Sequence, residues 1–243
     1  MQISNKRTRP FVRGLACLLA AVTVLAACSF ERRAGNPVER RATYFSYLAG
    51  EDIRKSCWSG ADDRYRLVYN ANFTNHVRTY EITGLHEAAG GVLDVEVFSP
   101  QHDPVLNIRL PLWPWQGQRA ITPLDGDDMV AIHAALKLSG AFAKPQTGLK
   151  LDSASYYWLM TGCVGGQFWF NGFAWPSDAF AGLAFPDILA RYDRSGVPMI
   201  EPPPGDGPLH GSLDRPAVAQ NEPEDQMRFV TTFGRRGISI GAK

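Results

Sequence analysis

The sequence is poor in the residues from which recognisable catalytic centres are built. It has four cysteines and five histidines in 243 residues. The histidines are His76, His86, His102, His133 and His210. No two of them stand at the i, i+4 spacing that puts both imidazoles on one helix face, and none accompanies a C-x-x-C pair. No metal site is therefore expected. The G-x-S-x-G elbow and the P-loop pattern are absent, and the run GCVGGQ lacks the spacing and the lysine of a phosphate cradle. Asp125-Gly126-Asp127-Asp128 concentrates carboxylates without the EF-hand spacing. Acids placed just before a helix suit its positive end without any ion. No cofactor is expected.

An excess of basic charge is also missing. The whole chain carries 25 Lys+Arg against 24 Asp+Glu. The four basic residues Lys6, Arg7, Arg9 and Arg13 all fall in the first 27, which contain no acid. Without that segment the balance is 21 basic against 24 acidic residues, which argues against a nucleic-acid partner. After residue 27 no stretch approaches eighteen continuous apolar residues, so no transmembrane helix is expected there.

The one long apolar run lies near the N-terminus. Fourteen residues, GLACLLAAVTVLAA, follow the basic segment and end at Ala27. As a helix the run would span roughly 21 Å, short of the ~30 Å hydrocarbon core, so it reads as the h-region of a signal peptide. It closes on Leu25-Ala26-Ala27-Cys28, with a leucine three residues before the cysteine and a small residue directly before it. This box resembles the lipobox of bacterial lipoproteins. The resemblance covers only the first 28 residues. It implies cleavage before Cys28, acylation of Cys28, and a membrane anchor in the cell envelope facing the periplasm. Ser29 after the cysteine, where an aspartate would favour the inner membrane, favours the outer one by the same analogy.

The cysteines then divide by fate. Cys17 leaves with the leader and Cys28 carries lipid, which leaves Cys57 and Cys163. In an oxidising envelope such a pair is expected to form a disulfide. The string Ser56-Cys57-Trp58 matches the end of the papain-type pattern. Arg54 and Lys55, however, stand where that pattern has Cys and Gly, and no suitable His-and-Asn pair follows.

The domain plan is a leader over 1–27, a polar tether over 28–36, one α+β domain over 37–196, and a Pro-rich C-terminal segment over 197–243, partly disordered. Seven of the 17 prolines fall in 198–223. Asn36-Pro37-Val38-Glu39 predicts a helix start, with an apolar stripe Val38, Ala42, Phe45, Ala49 and Ile53. Alternation predicts a hairpin over 64–70 and 77–82, and strands at 92–98, 106–112 and 119–122. A helix is expected over 127–139, stopped by Gly140, with Met129, Ile132, His133 and Leu136 inward. A second hairpin, 154–160 with 167–175, is followed by short helices at 177 and 187–192. Met227 to Ile240 could add an edge strand. The fold class is α+β, a largely antiparallel sheet packed with two or three helices.

The second hairpin is dense in aromatics: Tyr156, Tyr157, Trp158, Phe168, Trp169, Phe170, Phe173 and Trp175. Successive strand residues face opposite sides, so aromatics appear on both faces although one suffices for a core. The other face must meet a helix, a partner, or a ligand such as a glycan or an acyl chain. Trp113, Trp115, Trp158, Trp169 and Trp175 are the candidate binding aromatics. The function this predicts is a lipid-anchored envelope protein acting as a non-catalytic binding or assembly accessory module. Its partner would be an envelope protein, glycan or lipid. The alternative is an envelope hydrolase with a cysteine site or an acidic one, for which Glu51-Asp52 and Asp62-Asp63 offer carboxylate pairs.

Overall fold

A computed structural model describes residues 37–73, 75–85, 90–99, 117–203 and 228–242, with the side chains of 37–42 and 242 excepted. The leader, the tether, Cys28, Trp113, Trp115, the strand expected over 106–112 and most of the Pro-rich segment lie outside the described residues.

The chain from Pro37 onward is one compact unit. It is α+β, with a large antiparallel sheet at its centre. That sheet contains β1 (Arg64–Ala71), β2 (Val77–Gly84), β3 (Gly91–Phe98), β4 (Gln118–Leu124), β6 (Tyr156–Val164) and β7 (Gln167–Ala174), in the order β4-β3-β2-β1-β6-β7. A second sheet of three strands, β5 (Lys150–Asp152), β8 (Phe229–Phe233) and β9 (Ile238–Ala242), runs in the order β5-β8-β9. The helices are α1 (Pro37–Leu48), α2 (Glu51–Ser56), α3 (Gly126–Leu138), α4 (Asp178–Ala181) and α5 (Phe185–Tyr192).

The two faces of the large sheet carry two separate cores. One packs Leu67, Tyr80, Leu93, Val95, Trp158 and Met160 under Ile132 and Leu136 of α3 and Phe185 and Leu189 of α5. The other packs Val68, Tyr157, Leu159 and Phe170 against Leu151, Phe229 and Phe233 of the small sheet and Tyr44 and Leu48 of α1. Residues 228–242, which the sequence assigns to the Pro-rich segment beyond 196, thus supply a wall of the second core. The aromatics on both faces of the β6–β7 hairpin follow from this. Its second face meets the chain's own C-terminal hairpin.

Local chemistry explains the main boundaries. The helix expected through Ile53 is broken at Gly50, whose φ of 65° is left-handed. Any Cβ there would stand 2.7 Å from Thr161 Cβ, so glycine lets the α1–α2 corner touch the sheet. The inward stripe of α1 is also set one residue from the expected one: Tyr44 and Leu48 are buried while Phe45 and Ala49 are half-buried, and Ile53 is buried on α2. The β6–β7 turn needs positive φ at both central residues, and Gly165 (56°) and Gly166 (75°) supply it. At α3, Asp125 accepts from the Asp128 backbone N–H while the Asp128 carboxylate accepts from that of Asp125, a complete capping box.

Candidate functional site

The disulfide is present. Cys57, at the C-terminal cap of α2, is bonded to Cys163 near the end of β6, with Cα atoms 5.5 Å apart. Both thiols are therefore consumed, and Cys57 is no nucleophile in this state.

The proposed acid pairs are also engaged. Asp52 takes both terminal nitrogens of Arg66 at 2.8 Å, and Arg66 also bonds Glu81 and the Tyr47 carbonyl while its guanidinium lies 3.7 Å from the Tyr47 ring centroid. Burial alone would raise the Asp52 carboxyl, but its hydrogen bonds and charge interaction with Arg66 hold it below its ordinary value. Asp63 accepts from the Gly165 backbone N–H at 2.9 Å, which pins the β6–β7 turn to the start of β1. Among the described residues no group of three or more His, Cys, Asp or Glu side chains could hold a metal ion.

His133 meets the Tyr65 hydroxyl at 3.0 Å and stacks on Phe142, with ring centroids 5.0 Å apart. Burial pushes the Tyr65 phenol well above its ordinary value, with the Asp63 charge adding to the effect, so it stays protonated. No described nucleophile joins this pair, and it reads as a hydrogen-bonded edge of the first core.

The candidate aromatics separate by burial. Trp158 is 2% exposed, between Tyr69 at 4.9 Å and Phe185 at 4.9 Å, so it is a core residue and no contact surface. Trp169 is half-buried over Gly162, edge-on to Phe142, with its indole N–H enclosed and unpartnered. Trp175 is half-buried against Tyr156. Among the described residues the exposed tryptophan is Trp58, at 64%, just beyond the disulfide. Its position directly before the turn-forming pair Ser59-Gly60 is the one sequence sign of exposure.

Two concavities among the described residues bear on function. The first, of about 390 Å³, lies beside α5 and has Arg78, Tyr80 and Asp193 at its base, with Asp187, Met199 and Glu201 among its other lining residues. Arg78 bonds Asp193, which also accepts from the Tyr80 hydroxyl at 3.1 Å, and Arg78 reaches the Val197 carbonyl as well. Burial opposes the charge on Asp193, yet its Ser195 hydrogen bonds and the Arg78 charge hold its carboxyl below the ordinary value. Acid and base neutralise each other, and the cluster ties the segment after α5 to β2. It works as a latch.

The second is a groove of about 640 Å³ between α1 and β9. Thr43, Phe45, Ser46 and Ala49 form one wall, Glu51 an end, and Ile238, Ser239 and Ile240 the other wall. Side chains alternate across a strand, so three consecutive residues lining one groove means that it meets β9 along its edge. β9 is the outermost strand of its sheet, paired only with β8 among the described residues. Such an edge presents backbone donors and acceptors at hydrogen-bonding spacing. The lining is apolar and hydroxylic. Among the described residues its single ionisable side chain is Glu51, which accepts from Ser46 at 2.7 Å. The arrangement can hold an extended chain, and its one described carboxylate, Glu51, is joined to Ser46 with no histidine or second acid among the described lining residues to complete a catalytic set.

Sequence reasoning missed this groove because β9 was only a weak edge-strand expectation and Phe45 and Ala49 were assigned inward. Comparison with protein-family models, with curated proteins and with solved structures finds no match to this chain.

Proposed function

We propose that this chain is a lipid-anchored cell-envelope protein that acts as a non-catalytic binding or assembly module. Its α1–β9 groove takes an extended segment of an envelope protein partner. The observation that carries the reading is an outermost strand, β9, bordering a groove with apolar and hydroxyl walls and one ionisable group. A peptide laid there would gain main-chain hydrogen bonds from β9, while Phe45, Ala49, Ile238 and Ile240 would receive its apolar side chains. The anchor rests on the lipobox at Cys28, and by the Ser29 analogy the outer membrane is favoured. α1 begins nine residues after Cys28, so the groove would work close to the bilayer.

The hydrolase alternative loses support from three engagements. The cysteines are bonded, Asp52 is held by Arg66, and Asp193 is held by Arg78. The test is a pair of variants of the full chain assayed for partner recovery and for thermal midpoint. Ala49→Glu places a carboxylate in the groove and should abolish recovery with little change in midpoint. Asp187→Arg, exposed on α5, should leave both unchanged. Equal recovery with Ala49→Glu would remove the groove from the account. Glycan or peptide hydrolysis by the purified chain, abolished by an Asp variant that stays folded, would replace the reading altogether.

A further inference from the structure

The outer face of α3 breaks the rule that a covering helix turns polar residues to water. Its five exposed residues are Asp127, Val130, Ala134, Lys137 and Leu138. At 3.6 residues per turn they share an arc of about 100°. Val130 and Leu138, 68% and 81% exposed, are the two most exposed large apolar residues described. Lone apolar residues on a surface need no explanation, but two of them one above the other on the same helix, with alanine between, form a stripe.

The charges on that stripe are arranged end to end. Asp127 stands in the first turn and Lys137 in the last. The step from Asp127 to Val130 is three residues, and so is the step from Ala134 to Lys137. An antiparallel copy of α3 therefore brings Asp127 beside Lys137 and Val130 beside Ala134, and the two-fold axis repeats both contacts. Larger valine meets smaller alanine, each acid meets a base, and Leu138 of each copy folds over the Gly126–Val130 turn of the other. A parallel copy would instead set Asp127 against Asp127 and Lys137 against Lys137. Antiparallel helices also align their dipoles favourably.

We propose that α3 is a self-association surface on which two copies of this chain pair antiparallel about a two-fold axis, through Val130, Ala134 and Leu138 flanked by reciprocal Asp127–Lys137 ion pairs. The interface is isologous and closes at two copies. A single helix pair falls below the roughly 800 Å² per partner of standard stable interfaces, so the pairing is of the weak, concentration-dependent class. The inference is independent of the groove reading, because α3 packs on the opposite face of the large sheet from α1 and β9.

The test uses the full chain in non-ionic detergent. Unlabelled and nitrogen-15 copies are mixed, coupled with a zero-length carbodiimide, and digested. The expected product is a mixed-isotope amide joining the Asp127 and Lys137 peptides. Sedimentation equilibrium supplies the second reading. Asp127→Lys and Lys137→Asp should each weaken dimerisation by about tenfold, since two contacts turn repulsive. Mixing the two variants in equal amounts should restore it, because all four residues then find opposite charges. Both residues involved are exposed, and unchanged circular dichroism and thermal midpoints will show the variants folded. A chain that stays monomeric at millimolar concentration overturns the proposal. So does a dimer that Val130→Asp with Leu138→Asp leaves intact, or a mixture of the charge variants no tighter than either alone.

Discussion

Arg78 and Asp193 lie 115 residues apart in sequence and meet in an ion pair whose side chains are only 5% and 6% exposed. A buried pair is costly to form, and removing one partner strands the other charge. Asp193→Ala is therefore expected to destabilise the fold by about 3–5 kcal/mol in urea unfolding. Arg78→Met with Asp193→Leu should recover most of that loss. If the single variant unfolds at the wild-type midpoint, the latch is not a stabilising element.

The same carboxylates set the acid limit. Asp52 and Asp193 both titrate below their ordinary 3.8 in the folded chain, so the unfolded chain takes up protons first. Their contribution is present above the unfolded value and is lost as pH falls through the folded one. Urea midpoints should be flat above about pH 5 and fall below it. Asp193→Asn should show a shallower fall. A steeper fall in that variant would contradict the assignment.

The disulfide closes a loop of 106 residues between Cys57 and Cys163. Loop-entropy reasoning gives roughly 4.7 kcal/mol for a loop of about this length. Cys57→Ser with Cys163→Ser should lower stability by several kcal/mol, up to about that figure. Peptide mapping of unreduced protein from the envelope should recover the linked pair. Free labelling of both thiols after denaturation without reductant would rule it out there.

Two tryptophans give opposite outcomes. Trp158→Ala should cost about 3–5 kcal/mol, as full burial implies. Trp58→Ala should stay within about 0.5 kcal/mol, because the Trp58 side chain is largely exposed. Matching losses would mean that Trp58 is packed in solution.

Much of this architecture was legible in the sequence, for local reasons. The Asp125 box, the Gly165-Gly166 turn and the alternation of β1 to β3 are written within a few residues of where they act. The Cys57–Cys163 bond was legible because elimination left two thiols. The second sheet was not. β5 is three residues long, and its partner β8 lies beyond a Pro-rich stretch, so no window contains both. The excess of aromatics in the second hairpin was a true signal read one step short. It announced a second buried face, and the residues covering it, Phe229 and Phe233, lay in the segment assigned to the tail. The groove depends on that same hairpin and was hidden with it.

The central claim, capture of an extended partner segment along β9, is tested most directly by photo-crosslinking in the intact envelope. A benzophenone side chain replaces Ser239, exposed on β9, and in a second strain replaces Asp187 on α5. The account predicts a discrete adduct from position 239, lost on adding Ala49→Glu, with none from position 187. Adducts from both positions alike, or one from 239 that Ala49→Glu leaves undiminished, would contradict it.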